Sequence, residues 1–390
     1  MDTGADGSLT GLFLPGGGAR GAYQAGALKA LAEIVGGARN PFPVITGASV
    51  GAVNAAVIAS QAQDFQMAVA GLAGFWQEIE ASEVYRTDLP AVALRGLQWI
   101  VTMTPLGELG FAAPRSLLDN APLKTLLRRR VDFAGISAAL RSGDLRAIGV
   151  TASSYDRAIA VTFIQSTGHF EGWARARQIG VPARLTVGHL LASSALPFVF
   201  PAQRVGNEYF GDGSLRLTTP LSAAIHAGAD RILVIGVRDL EPAPEPAPGT
   251  VIYPSLGSIS GYLLDTVFMD NLDADIERAN RINRTIALVA PDKRAEIPLR
   301  EVSVLSLQPS RDLRGVAEEH SREMPWTIRL LLRRLGVWGH DWRLPSYLLF
   351  EPGYCRALVT LGYEDTLARR DEVAAFLEPA AAMRPRLARS

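Results

Sequence analysis

Val44-Ile45-Thr46-Gly47-Ala48-Ser49-Val50-Gly51-Ala52-Val53-Asn54 (VITGASVGAVN) sets a serine between two glycines, directly after an apolar run. The spacing predicts a short strand over Pro43–Thr46, a tight turn, and a helix over Ala52–Ser60 whose small residues permit close packing on a sheet. Gly47-Ala48-Ser49-Val50-Gly51 matches the G-x-S-x-G nucleophile elbow, in which a sharp strand-to-helix turn holds a serine Oγ at the sheet edge beside a helix N-terminus. The backbones approach so closely in such a turn that the flanking positions must lack bulk. A serine at this place is also an ordinary N-cap, and the pentapeptide alone does not separate the two readings.

Upstream, Leu9–Leu14 is a second apolar run, closed by Pro15 and three glycines and followed by helical spacing over Gly21–Val35. Two strand–turn–helix units in succession indicate a parallel sheet covered on both faces. Further buried strands are expected at Leu145–Thr151, Ile159–Gln165, Arg231–Val237, Thr285–Ala290 and Val302–Gln308. Helices are expected at Pro122–Arg130, Thr186–Leu191, Pro220–Gly228 and Ser260–Asn283. The fold class is therefore α/β, a three-layer α/β/α arrangement with a mainly parallel central sheet and a helical C-terminal extension. Glu241–Thr250 (EPAPEPAPGT) alternates proline with alanine and glutamate, and reads as a stiff insertion loop. From about Arg311 the pattern turns helical through Tyr363–Leu377, ending in an arginine-bearing tail expected to fray. The organisation expected is a main domain over 8–310 and an extension over 311–390.

The 390 residues carry 39 basic and 39 acidic side chains, so no global field attracts nucleic acid, and none is expected as a partner. The lysines are Lys29, Lys124 and Lys293 alone; the remaining positive charge is arginine. The single cysteine, Cys355, excludes an internal disulfide framework and a multi-thiolate metal site. The opening MDTGADGS lacks the basic and apolar regions of a secretory signal, and no apolar stretch reaches the roughly 18 to 20 residues that span a bilayer. A cytoplasmic protein is expected, and nothing in the chain signals its oligomeric state.

Gly16-Gly17-Gly18-Ala19-Arg20-Gly21 forms the other glycine turn. Consecutive glycines let successive N–H groups point into one concavity, an anion-binding nest at the start of a helix. If both turns leave the same end of adjacent parallel strands, the nest faces Ser49 and can hold the oxyanion of a tetrahedral intermediate. The hexapeptide also satisfies the G-x-G-x-x-G dinucleotide fingerprint, but that reading needs an acid at the end of the second strand, where this chain has Thr46-Gly47-Ala48-Ser49. A non-catalytic nucleotide-binding or regulatory protein is the reading it would leave.

A serine nucleophile needs a base. His169, His189, His226, His320 and His340 are the histidines, and none sits in a glycine-bracketed turn after a convincing strand. A Ser-His-Asp esterase of the α/β-hydrolase type would require one of them. Asp212 stands out more, in Glu208-Tyr209-Phe210-Gly211-Asp212-Gly213-Ser214, where a carboxylate lies between two glycines after a short aromatic strand end. A carboxylate is a weak base in water, yet it can receive a serine proton when held in contact and when transfer accompanies attack. The competing account is an Asp-Gly turn.

Together these stretches resemble the patatin-like phospholipase family: a glycine-rich oxyanion loop with a basic residue, an elbow serine, and an aspartate before glycine that completes a Ser-Asp dyad without histidine. The match runs over Gly16–Gly21 with Arg20, Gly47–Gly51 and Asp212-Gly213. Ala192-Ser193-Ser194-Ala195-Leu196-Pro197-Phe198-Val199-Phe200-Pro201 is similar to the run that precedes the family's aspartate. Ser346–Phe350 and Leu361–Asp365 look like an appendage of some bacterial members. Ser214 and the Leu14-Pro15 opening depart from the family pattern without removing a catalytic group. The resemblance implies a lipid ester substrate, Ser49 as nucleophile, Asp212 as base, Gly17 and Gly18 N–H groups on the oxyanion, and no cofactor or metal. Arg20 is then either an organiser of the loop or a ligand of a head-group phosphate.

Two segments bear on lipid access. Leu89–Phe111 is unusually apolar and reads either as an acyl-pocket wall or lid, or as a packed helix. Pro325–Phe350 interleaves Trp326, Trp338 and Trp342 with Arg329, Arg333, Arg334 and Arg343. That mixture suits peripheral membrane contact, but its leucines favour a helix docked on its own domain.

Overall fold

The strand expected before the elbow is the second of ten that form one sheet among the residues described by the computed structural model, which are 8–102, 116–168, 170–238, 256–339 and 342–378. In chain order these are β1 (Thr10–Leu14), β2 (Val44–Ala48), β3 (Ala147–Ser154), β4 (Ile159–Ser166), β5 (Trp173–Arg175), β6 (Gln178–Pro182), β7 (Gln203–Val205), β8 (Glu208–Gly211), β9 (Arg231–Ile235) and β10 (Ser303–Leu307). Their order is β10-β9-β1-β2-β3-β4-β6-β5, with β8 pairing with β3 and β7 with β8. From β10 to β3 every pair is parallel. β4 then turns back antiparallel on β3, and β8 meets β3 antiparallel at Ser153 and Ser154. The strands of the parallel half, β4 and the end of β8 were legible in the sequence; the antiparallel pairing of β4 and β8 with β3 and the short strands β5, β6 and β7 were not.

The helices are α1 (Gly21–Val35), α2 (Val50–Ser60), α3 (Phe65–Glu78), α4 (Ala81–Val84), α5 (Leu89–Thr102), α6 (Ala121–Arg130), α7 (Phe133–Ser142), α8 (Val187–Ser193), α9 (Ser222–His226), α10 (Leu256–Ala287), α11 (Leu313–Glu319), α12 (Trp326–Arg334), α13 (Arg343–Leu348), α14 (Pro352–Ala368) and α15 (Arg370–Leu377). Successive side chains of a strand face opposite ways, and β1 shows the layers that follow. Leu12 and Leu14 join Ile45 in a core with α1, α2, α3 and α14. Phe13 joins Val44 and Ala48 in a second core against Leu221, which caps α9, Ala224 of α9 and Leu272 of α10. The result is the expected mixed α/β fold with helices over both faces.

Thr285–Ala290, expected as a strand, is instead the end of α10 and the turn after it. Its β-branched composition is overridden by a period of three to four: Leu272, Asp275, Ile276, Ala279 and Ile286 turn inward while Leu288 is 88% exposed. The Glu241–Thr250 loop, the tail from residue 379, His169 and His340 lie outside the described residues, as do residues 103–111 of the apolar segment.

The helices after Arg311 share the core of the main sheet. α14 crosses α1 so closely that a Cβ on Gly26 would overlap the Val359 carbonyl, and one on Gly362 would overlap the Tyr23 carbonyl. α12 docks through Ile328 and Leu332 while Trp326 and Leu330 face outward. The Cys355 thiol is fully buried beneath the Leu349 carbonyl at 3.9 Å, and burial pushes its pKa upward.

Candidate active site

β1 and β2 are parallel neighbours with Leu14 opposite Gly47, so both glycine turns leave the sheet at the same edge. At the elbow Ser49 adopts φ 53° and ψ −132°, a backbone state that L-residues rarely occupy, and α2 begins at the next residue. Strain of this kind costs on the order of 1–3 kcal/mol and persists only where surrounding contacts over-determine it. The flanking glycines answer to sterics: a Cβ on Gly47 would run into the backbone of Gly51, and one on Gly51 into the Leu14 and Pro15 carbonyls.

The glycine-rich turn is a short 3-10 element, Gly18–Arg20, leading into α1. Gly18 has φ +57°, and its Cα lies so near the Tyr347 carbonyl that no side chain would fit. Arg20 does not face solvent. It is 3% exposed, donates to Ser346 Oγ through Nε at 2.9 Å and Nη2 at 2.7 Å, and stacks on the Tyr347 ring. Asp312 of the C-terminal half also senses its charge. The guanidinium thus anchors the turn to α13.

A buried polar network couples the two turns, and the sequence reading did not anticipate it. Gln24 of α1 donates to the Pro15 carbonyl at 2.9 Å and the Ile235 carbonyl at 3.2 Å. Asn54 of α2 donates to Gln24 Oε1 at 2.9 Å and to the Gly21 carbonyl at 3.1 Å, and accepts Trp76 Nε1–H at 2.9 Å. The available signal was a lone amide in the otherwise small and apolar VGAVNAAVIAS.

Asp212 closes β8 and caps the 3-10 turn Gly213–Arg216, where Oδ1 accepts the Ser214 N–H at 2.9 Å. A Cβ on Gly213 would overlap the Thr151 carbonyl of β3, and Thr151 is in register with Ala48 of β2, so the aspartate sits across the strand end from the elbow. The carboxyl is fully buried, and Oδ2 lacks a well-formed hydrogen bond. The Ser49 hydroxyl is near enough to interact with this carboxyl and stabilise its charge. The pair is therefore adjacent, without a hydrogen bond of good geometry between them. Burial pushes the Asp212 pKa up from 3.8 to about 7, with Ser49 and Ser214 pulling it partly back. A base poised there is matched to proton transfer near neutral pH.

From Ser49 and Gly18 a cavity runs between α2, α3, α6 and the 347–350 segment, walled by Val53, Val57, Trp76, Leu127 and Phe350 among other apolar side chains, with Arg130 also in its wall. Ser194 also lines it, and its Oγ is buried without a partner among the described residues. Leu89 and Leu94 of α5 are exposed.

The described histidines have other occupations. His189 completes a capping box with Thr186 and packs on Phe163; His226 bonds the Ser222 carbonyl and stacks on Trp173; His320 pairs with Glu323. None contacts Ser49 or Asp212. Among the described residues no group of three or more His, Cys, Asp or Glu side chains is gathered as a metal site would need.

A layered α/β fold that brings an elbow serine, a glycine-rich turn and a buried acid to one sheet edge, at the end of an apolar cavity, defines the class of α/β protein to which this chain belongs. Residues 12–225 match the family model described as patatin-like phospholipase, and the chain belongs to that family of lipid hydrolases. Among solved structures, VipD from Legionella pneumophila is similar at 13% identity and a TM-score of 0.35, over 94% of this chain and 67% of VipD. The type III effector protein ExoU is similar at 16% identity and a TM-score of 0.23, over 87% of this chain and 78% of ExoU. No curated protein matches.

Proposed function

We propose that this protein is a serine acyl hydrolase of lipid esters, of phospholipid or lysophospholipid type, working through a Ser49–Asp212 dyad. The observation that carries the reading is the meeting of the Ser49 hydroxyl with a buried carboxyl of raised pKa at one end of an apolar cavity. Ser49 Oγ attacks the ester carbonyl and its proton passes to Asp212. The N–H groups of Gly17 and Gly18 stabilise the oxyanion, aided by the N-terminus of α2. The alkoxide leaves with the proton, the acyl chain occupies the cavity, and Asp212 then activates the water that releases the fatty acid. All of these groups come from the 8–310 portion; the 311–390 extension supplies Tyr347, Leu348 and Phe350 to the cavity wall.

Peripheral contact with a lipid surface belongs to the same reading. Leu89 and Leu94 of α5 and Trp326 and Leu330 of α12 are exposed, and Phe198 is 80% exposed on a backbone with φ 64°. No helix among the described residues is long and apolar enough to cross a membrane. Vesicle co-sedimentation tests the contact, and absence of binding removes it.

The activity is tested with a panel of phospholipids, lysophospholipids and glycerides, comparing wild type with Ser49→Ala and Asp212→Asn. Each variant is expected to lose turnover by at least about a hundredfold. A fluorophosphonate probe is expected to label the wild type and not Ser49→Ala. Turnover intact in Ser49→Ala would overturn the proposal.

A further inference from the structure

Ser193 terminates α8, and its hydroxyl is not spent on the carbonyl one turn back, the usual partner of a serine at a helix end. It reaches across the sheet edge. Ser193 Oγ accepts the Ser49 N–H at 2.9 Å and donates to the Thr151 carbonyl at 2.6 Å, so both of its polar functions are used and the residue is fully buried. Two residues on, the Ala195 carbonyl accepts the Asp212 N–H at 2.9 Å. The frame closes through β3: the Thr151 carbonyl also seats Gly213, and Ser153 Oγ donates to the Gly213 carbonyl at 3.2 Å.

We infer that Ser193 is a positioning residue for the acyl-transfer centre: the stretch Ser193–Ala195 clamps the backbones of Ser49 and Asp212 to each other, and the Ser193 hydroxyl holds the elbow in its strained conformation. The N–H of Ser49, at a strained φ of 53°, is held by Ser193 Oγ, while its carbonyl is held by the first turn of α2. The bond also commits the Ser49 N–H to structure, leaving the Gly17 and Gly18 amides for the oxyanion. Ser193 touches no reacting atom. It acts through the distance and angle between the serine hydroxyl and the carboxyl.

This inference rests on the dyad reading, and the test separates the two. Kinetics on a soluble chromogenic ester are measured from pH 5 to 9 for wild type, Ser193→Ala and Asp212→Asn, with folded fraction followed by circular dichroism. Ser193→Ala is expected to lose about 10- to 100-fold in kcat with KM within about twofold, the pattern of a transition-state defect. Its acidic limb is expected to move to higher pH, because the Ser49 hydroxyl then no longer stabilises the carboxylate. The groups facing Asp212 are the hydroxyls of Ser49 and Ser214, with Tyr155 opposite from the β3–β4 connection, and only the first depends on Ser193. Fluorophosphonate labelling of Ser49 is expected to slow in proportion to kcat. A loss that merely tracks folded fraction, or an unmoved acidic limb, overturns the role of Ser193. If Ser193→Ala does not fold, Ser193→Cys is read by the same two criteria. An Asp212→Asn enzyme that keeps the wild-type acidic limb removes the dyad itself, whatever Ser193 does.

Discussion

The Arg20 guanidinium lies 4.3 Å from the centroid of the Tyr347 ring and is bonded twice to Ser346 Oγ, although 326 residues separate the partners in sequence. The Tyr347 carbonyl presses on Gly18 from the same side, so the glycine turn is shaped partly by the C-terminal extension. A lysine keeps the charge but lacks the planar fork that serves the hydroxyl and the ring together. Arg20→Lys is therefore expected to lower kcat about tenfold or more, and Ser346→Ala to have a smaller effect in the same direction. Steady-state kinetics on one ester measure both. Equal activity in all three proteins would show that the turn holds its shape without α13.

As the proposed base, Asp212 gives activity a pH dependence of definite sign. Only the ionised carboxylate accepts a proton, so kcat/KM is expected to rise with pH through a midpoint near 7, the value to which burial pushes this group. Stability runs the other way. Because the folded pKa lies above the unfolded one, the group favours the folded state at low pH, and that contribution is lost as pH rises from about 4 to about 7. Asp212→Asn is thus expected to melt several degrees above wild type at pH 8 and to lose that advantage at pH 4. Thermal melts at the two pH values check it.

The elbow strain is separable from the chemistry. Ser49→Ala and Ser49→Gly both remove the nucleophile, but only glycine occupies φ 53° without a penalty. Ser49→Gly is expected to be more stable than Ser49→Ala by about 1 kcal/mol, read from urea unfolding midpoints. The reverse order would mean that the turn is unstrained.

Asn54 carries three buried hydrogen bonds linking α1, α2 and α3. Replacing it with leucine strands the amide oxygen of Gln24 and the indole N–H of Trp76, and each orphaned buried group costs about 1–3 kcal/mol. Asn54→Leu is expected to destabilise the fold by a few kcal/mol and to reduce kcat in the fraction that stays folded. Denaturant unfolding combined with active-site titration distinguishes the two effects.

Val57 and Leu127 line the cavity away from the elbow turn. Enlarging either to tryptophan shortens the space available to an acyl chain. The variants are expected to keep activity on short-chain esters and to lose it, at least about tenfold, on long-chain ones. A uniform loss across a chain-length series would place the acyl chain elsewhere.

The parallel core and the three chemical stretches were legible because each rests on short-range constraint: a glycine whose neighbours leave no room, a β-branched run, a carboxylate framed by small residues. Thr285–Ala290 misled because local composition favoured a strand, whereas a long amphipathic helix with its own apolar seam prevailed. Ser193, Gln24 and Asn54 went unassigned because their roles are long-range: each polar group is matched to a backbone atom between 9 and 211 residues away, and no local pattern encodes such a match. Arg20 stands in the glycine-rich turn by sequence, but its partner on α13 could not be read from spacing.

The tight crossing of α1 and α14 at Gly26 and Gly362 has a consequence for biosynthesis. A chain leaving the ribosome presents Ser49 and Asp212 long before α14, which must nestle against α1, has been translated. Until then a strip of alanines and leucines on α1 lies bare, and the Gly16–Gly21 turn lacks its backing from Tyr347. The cavity beside Ser49 is thus completed only after residues 343–368 have been made.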